Sequence, residues 1–166
     1  MKFRKIITAV VLGLMTSSTL IAQDMTSPQE NNVLSGQSEN EWYYVNYDFD
    51  GLWFQLPNGM EITKGSEFRA VAPGFGVNMM KINQPSNIKI SKELCKRTCD
   101  SLHLPRNSVR NVSFKGVKGV MAEGLIDGKK VTLIVLPFDE HQVQIVLMSD
   151  AFHTEWGNHF MKTLKR

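Results

Sequence analysis

Cys95, Cys99 and His103 recur at every fourth position. On a helix that spacing puts them on one face, and each neighbouring pair could share a ligand, as two histidines one turn apart bind zinc. All three cannot easily hold one ion, because Cys95 and His103 are about 12 Å apart at 1.5 Å per residue. The same stripe carries Leu94, Thr98 and Leu102, so the thiols also read as small core hydrophobes. In an oxidising compartment they could instead be bridged, although parallel Cβ directions on a regular helix suit a disulfide poorly. Core thiols, a strained bridge and a metal or redox site using Cys95, Cys99 and His103 all remain open.

Other chemistry is less specific. No Gly-x-Ser-x-Gly, His-Glu-x-x-His or Walker loop occurs. Gly74-Phe75-Gly76 is a lone Gly-x-Gly and reads as a turn. Asp139 and Glu140 are adjacent in a connection and read as solvated. Met79, Met80, Met121 and Met148 lie in strand-like segments as core filler, although thioethers also favour Cu(I). His141, His153 and His159 show no ligand spacing. Asn111-Val112-Ser113 matches an N-glycosylation acceptor. No cofactor is implied, and no catalytic residue is singled out.

Charge narrows the partners. Lys2, Arg4 and Lys5 precede an apolar run from Ile6 to Met15, and a small-polar stretch leads to Ala22. Residues 1–22 read as a secretory signal peptide, since the run is too short for a membrane span. Removing it leaves 16 bases against 16 acids, and nucleic-acid binding loses its compositional support. No second long apolar run occurs, so stable membrane insertion is not expected after the leader is removed. The exported chain is then periplasmic or extracellular. From Gln23 to Thr63 there are seven acids and no Lys or Arg, whereas 16 bases and nine acids follow from Lys64. Lys92, Lys96 and Arg97 form a candidate partner-binding face opposite the Leu94–Leu102 stripe, suited to an acidic protein or envelope component.

The elements that must position these residues form one domain over 41–166. Residues 23–40 are polar, with Ser27-Pro28 and Ser35-Gly36, and read as a flexible tail. Leu52, Phe54 and Leu56 alternate as a strand; Phe68–Val71 and Val77–Ile82 form a hairpin about Pro73-Gly74. Ser91 is expected to cap a helix over 91–103, with Glu93 in its first turn and Pro105 stopping it. Strands follow at Val109–Phe114, Val120–Ile126, Lys130–Leu136 and Gln142–Met148. Asp127-Gly128 is a two-residue hairpin turn, and Val131–Leu136 is apolar on both faces, hence central. Phe152, Trp156, Phe160 and Leu164 form the buried stripe of a last helix capped by Ser149 or Asp150, with Gly157 inviting close packing. The expected class is α+β: a mainly antiparallel sheet of about six to seven strands packed with two helices.

This order, the aromatic strand ending in Leu56-Pro57, the Val117-Lys118-Gly119-Val120 entry to a hairpin, and the closing helix after a hydrophobic strand resemble the PsbP/Mog1-like proteins over residues 48–166. The resemblance implies an antiparallel sheet between helices. Members are mostly accessory or assembly proteins or uncharacterised, so the resemblance implies little about activity and carries over no functional residue. The lack of a catalytic motif and the charge split make an exported, non-enzymatic binding or assembly accessory the leading expectation. The runner-up is a thiol- or metal-handling protein; a hydrolase assembled from distant residues stands third.

Overall fold

In the computed structural model, residues 43–166 are described. The expected leader, the tail and the first two residues of the expected domain lie outside them. Nine strands and two helices follow in order: β1 Tyr44–Phe49, β2 Leu52–Pro57, β3 Glu61–Lys64, β4 Glu67–Ala72, β5 Phe75–Ile82, α1 Ile88–Leu102, β6 Arg110–Phe114, β7 Val117–Ile126, β8 Lys129–Pro137, β9 Gln142–Ser149 and α2 Thr154–Thr163. The class is α+β, as expected, and the main antiparallel sheet has seven strands, within the expected number, but β2 lies outside it. Seven strands form one antiparallel sheet in the order β3-β4-β5-β9-β8-β7-β6, and β1 and β2 pair separately.

Strand β9 lies at the centre and is buried along its whole length. Beside it, Val131 to Leu136 of β8 are buried on both faces. A sheet apolar on both sides needs two covers. Helix α1 supplies one. Its Leu94, Cys95, Cys99 and Leu102 pack with Val120, Val131, Leu133, Val135 and Val146. The β1–β2 hairpin and α2 supply the other. Leu52, Phe54 and Leu56 join Phe160 and Leu164 against Phe68, Met79, Ile134, Val143 and Ile145. Each large side chain so buried contributes about 1.5–3 kcal/mol relative to exposure.

The expected hairpins form. Asp127 and Gly128 both take positive φ (50° and 75°) between β7 and β8, the backbone of a tight primed turn. Asp50 and Gly51 repeat this geometry between β1 and β2 (51° and 76°), a hairpin not among those expected.

Three local expectations need correction. Helix α1 starts three residues early, because Asn87 is the cap and its side chain accepts from the Ile90 amide. Ser91 is buried inside the first turn, where its hydroxyl donates to Gln142 Oε1 at 2.9 Å. Glu93 is consequently beyond the first turn and pairs with Lys96. Phe152 is 93% exposed rather than buried. Asp150 accepts from the Phe152 and His153 amides to cap a 3₁₀ turn at Ala151–His153, and that turn swings Phe152 off the stripe before α2 begins.

Two glycines separate strain from slack. A Cβ at Gly157 would meet only Phe75 Cε2 at 3.8 Å, an ordinary contact. A Cβ at Gly119 would stand 2.7 Å from the Val135 carbonyl oxygen, which belongs to the next strand's backbone. Gly157→Ala is therefore expected to stabilise by about 0.5–1 kcal/mol through helix propensity, and Gly119→Ala to cost about 1–3 kcal/mol through overpacking. Chemical denaturation of both variants checks the pair; equal effects would contradict this packing.

Candidate functional site

Three residues far apart in sequence converge where the hairpin turn meets the sheet. Asp50 occupies the β1–β2 turn in a left-handed conformation that Asp tolerates better than most residues. Lys81, near the end of β5, donates to its Oδ1 at 2.8 Å. The imidazole Nε2 of His141, from the β8–β9 connection, meets its Oδ2. That connection is itself tight: the Phe138 amide donates to the His141 carbonyl at 2.8 Å. The Phe138 ring stacks on His141, with centroids 4.9 Å apart, and the Arg166 guanidinium lies over Phe138 at 4.6 Å. Burial alone would raise the Asp50 carboxyl; Lys81 and His141 together outweigh it and hold the group below the usual carboxylate range.

This clamp borders an open depression of about 380 Å³ lined by Asp48, Phe49, Asp50, Lys64, Gly65, Ser66, Phe68 and Lys81. It lies between the β1–β2 and β3–β4 turns. Lys64 stands 5.4 Å from the Tyr47 ring centroid, and Asp48 forms no ion pair among the described residues. The depression thus presents both signs of charge beside aromatic carbon.

A second polar group lies across the hairpin. Tyr44 stacks on His159 at 3.5 Å, His159 Nε2 meets Gln55 Oε1 at 2.9 Å, and the Gln55 side-chain amide donates to Asn46 Oδ1 at 3.0 Å. Burial, and then the charge of Lys162, lower the His159 pKa.

The residues singled out by spacing sit elsewhere. Cys95 and Cys99 are free and wholly buried under α1. The neighbouring Cys99 sulfur, with burial, pushes the Cys95 thiol up, while the contact with Cys95 draws the Cys99 thiol down. It is the burial of both sulfurs between α1 and the sheet that keeps them from metals and electrophiles. His103 is exposed and terminates α1 in a left-handed conformation, its amide bonding the Asp100 carbonyl. Among the described residues no three His, Cys, Asp or Glu side chains converge as a metal-binding group. On the basic face, Lys96 is paired with Glu93 at 3.0 Å, while Lys92 and Arg97 are exposed. Spacing could not find the Asp50 clamp, whose members lie 31 and 91 residues from Asp50. The only local signal was Asp50-Gly51 as a turn.

No helix among the described residues is long and apolar enough to cross a membrane. No family model matches the chain, and no curated protein matches it. A crystal structure from Bacteroides thetaiotaomicron VPI-5482 is similar over 68% of this chain at 10% identity, with a TM-score of 0.46. The chain spans 44% of that neighbour's length.

Two measurements check this description. Ellman's reagent should find no fast-reacting thiol in the native protein and two per chain in denaturant. A missing pair in denaturant would show a disulfide, and stoichiometric zinc or copper lost in Cys95→Ala/Cys99→Ala would place a metal on these sulfurs. For Asp50, a depressed native pKa means that its contribution is fully present above the unfolded value near 4 and is lost as pH falls through the lower native one. Asn tolerates the left-handed turn, so Asp50→Asn keeps the backbone and removes the charge. The variant should lose about 1–2 kcal/mol at neutral pH and show a shallower decline in stability below about pH 4 than the parent. An unchanged acid limb would mean that the clamp does not act in solution.

Proposed function

We propose that the protein is an exported, non-enzymatic binding accessory that takes its partner on the hairpin side of the molecule. The observation that carries this reading is the depression between the β1–β2 and β3–β4 turns. At about 380 Å³ it falls within the usual size of a ligand site. Its rim is held from three elements by Asp50, Lys81 and His141, so little ordering remains to be done on binding. What it offers is the ammonium of Lys64, the carboxylate of Asp48, the hydroxyl of Ser66 and phenylalanine carbon. That set suits a peptide segment carrying charges of both signs.

The leader-like N-terminus supports export to the periplasm or beyond, and the charge split along the chain supports a role in binding a partner. The α1 face of Lys92, Lys96 and Arg97 is a weaker candidate, because Lys96 already has Glu93 as a partner.

Titrating the isotope-labelled protein with the dipeptides Glu-Lys and Lys-Glu tests the site. Amide resonances of residues 48–50 and 64–66 should shift and saturate with a Kd of about 1 mM or tighter. Lys64→Glu should weaken this about tenfold or more. No shift in either segment with either dipeptide would contradict a peptide site in the depression.

A further inference from the structure

The hairpin has an outward face as well as the inward one that covers the sheet. Leu52, Phe54 and Leu56 are buried, so the alternate residues Trp53 and Gln55 point away. Directly opposite residues in paired strands share a face. Asp48 stands opposite Trp53. On its other side Trp53 pairs with Lys165: the two residues exchange main-chain hydrogen bonds of 2.8 and 2.9 Å. Lys165 in turn bridges to Lys115, and the Arg166 amide donates to the Lys115 carbonyl at 3.0 Å. Gly116 permits that approach, with a φ of +83° and the Arg166 carbonyl oxygen 3.2 Å from where a Cβ would stand. The backbone therefore fixes one row across the surface: Asp48, Trp53, Lys165, Lys115. Asn46 and Gln55 form the neighbouring row and are hydrogen-bonded to each other.

Nothing within the described residues consumes this row. Trp53 is 50% exposed and Lys115 and Lys165 are exposed. No ion pair engages either lysine or Asp48 among the described residues, and no ring contact covers the indole. The half-exposed indole is flanked by Asp48 on one side and Lys165 on the other, so an apolar ring face stands between groups of opposite charge, an amphipathic arrangement suited to a ligand with an apolar face and polar edges. An acid lies at one end of the row and two ammonium groups at the other. Glu155 acts on Tyr44, at the opposite margin of the hairpin from the turn.

We propose that this outward face binds an acidic carbohydrate. A pyranose ring lays its C–H face on the Trp53 indole, its hydroxyls bond the Asp48 carboxylate and the Asn46 amide, and its anionic substituent balances Lys165 and Lys115. The charge order argues for this class. A strand of phosphates would meet Asp48 as well as the lysines, whereas a sugar uses a carboxylate as a hydroxyl acceptor. The surface is separate from the depression and touches it only at Asp48, so either can fail alone.

The test is titration with tetragalacturonate, followed through the Trp53 indole N–H resonance, with maltotetraose and hexathymidylate as comparisons. Tetragalacturonate should bind and weaken as salt rises, and maltotetraose should bind more weakly. Trp53→Ala should reduce the affinity about tenfold. Lys115→Gln/Lys165→Gln, which changes only exposed side chains, should abolish both the salt dependence and the preference for the acidic sugar. The proposal is overturned by an unmoved Trp53 resonance at about 10 mM probe, a concentration that would reveal even mM affinity. It is also overturned by equal binding of the doubly substituted protein, or by tighter binding of hexathymidylate, which would make the face a nucleic-acid surface.

Discussion

Strand β9 has no solvent-facing side. All eight of its residues are buried, and β8 beside it is buried from Val131 to Leu136. Such a pair cannot exist in water unless both faces of the sheet are covered, because leaving one bare would expose a row of large aliphatic side chains at about 1.5–3 kcal/mol each. Helix α1 is long enough to cover one face. Helix α2, with ten residues, is too short to cover the other alone, and the β1–β2 hairpin completes it.

The sites follow from that division of labour. A two-stranded hairpin is marginal by itself, so it persists by docking Leu52, Phe54 and Leu56 onto the sheet. Docking brings its turn against the ends of β5 and the β8–β9 connection, and Asp50 meets Lys81 and His141 there. It also leaves the hairpin one free edge, where the charged depression opens, and one free face, where Trp53 stands. The same alternation that buries Phe54 obliges Trp53 to face water. The α1 side has a different character. Thr98 donates to Gln144 and Ser91 to Gln142, while the Gln142 side-chain nitrogen has no partner among the described residues. This polar seam orients the helix against β9 and is sealed from solvent.

How much of this the chain displays depends on the range of each interaction. The α1 stripe was legible because Leu94, Cys95, Thr98, Cys99 and Leu102 repeat at helical spacing, and all five are buried. The β7–β8 hairpin was legible because Asp127-Gly128 carries its turn chemistry locally. Strand β1 was not, because Tyr44–Phe49 mixes Asn and Asp with aromatics and becomes a strand only against β2. Strand β3, four residues with three exposed, is held by the register of β4. The start of α1 was misplaced because Asn87 and Ser91 are both good caps, and a tertiary bond to Gln142 decided between them. The candidate sites were least legible. Asp50 and His141 are 91 residues apart, and the Trp53–Lys165–Lys115 row exists only through main-chain pairing between distant segments.

Native-state hydrogen exchange tests most directly whether the hairpin is an integral cover. If docking of β1–β2 completes the core, the hydrogen-bonded amides of Leu52, Phe54 and Leu56 should exchange with the same opening free energy as those of β8 and β9, in one cooperative unit. Exchange of the hairpin at a free energy several kcal/mol below that of the central strands, with β8 and β9 still protected, would show that the sheet stands without it and would contradict the account.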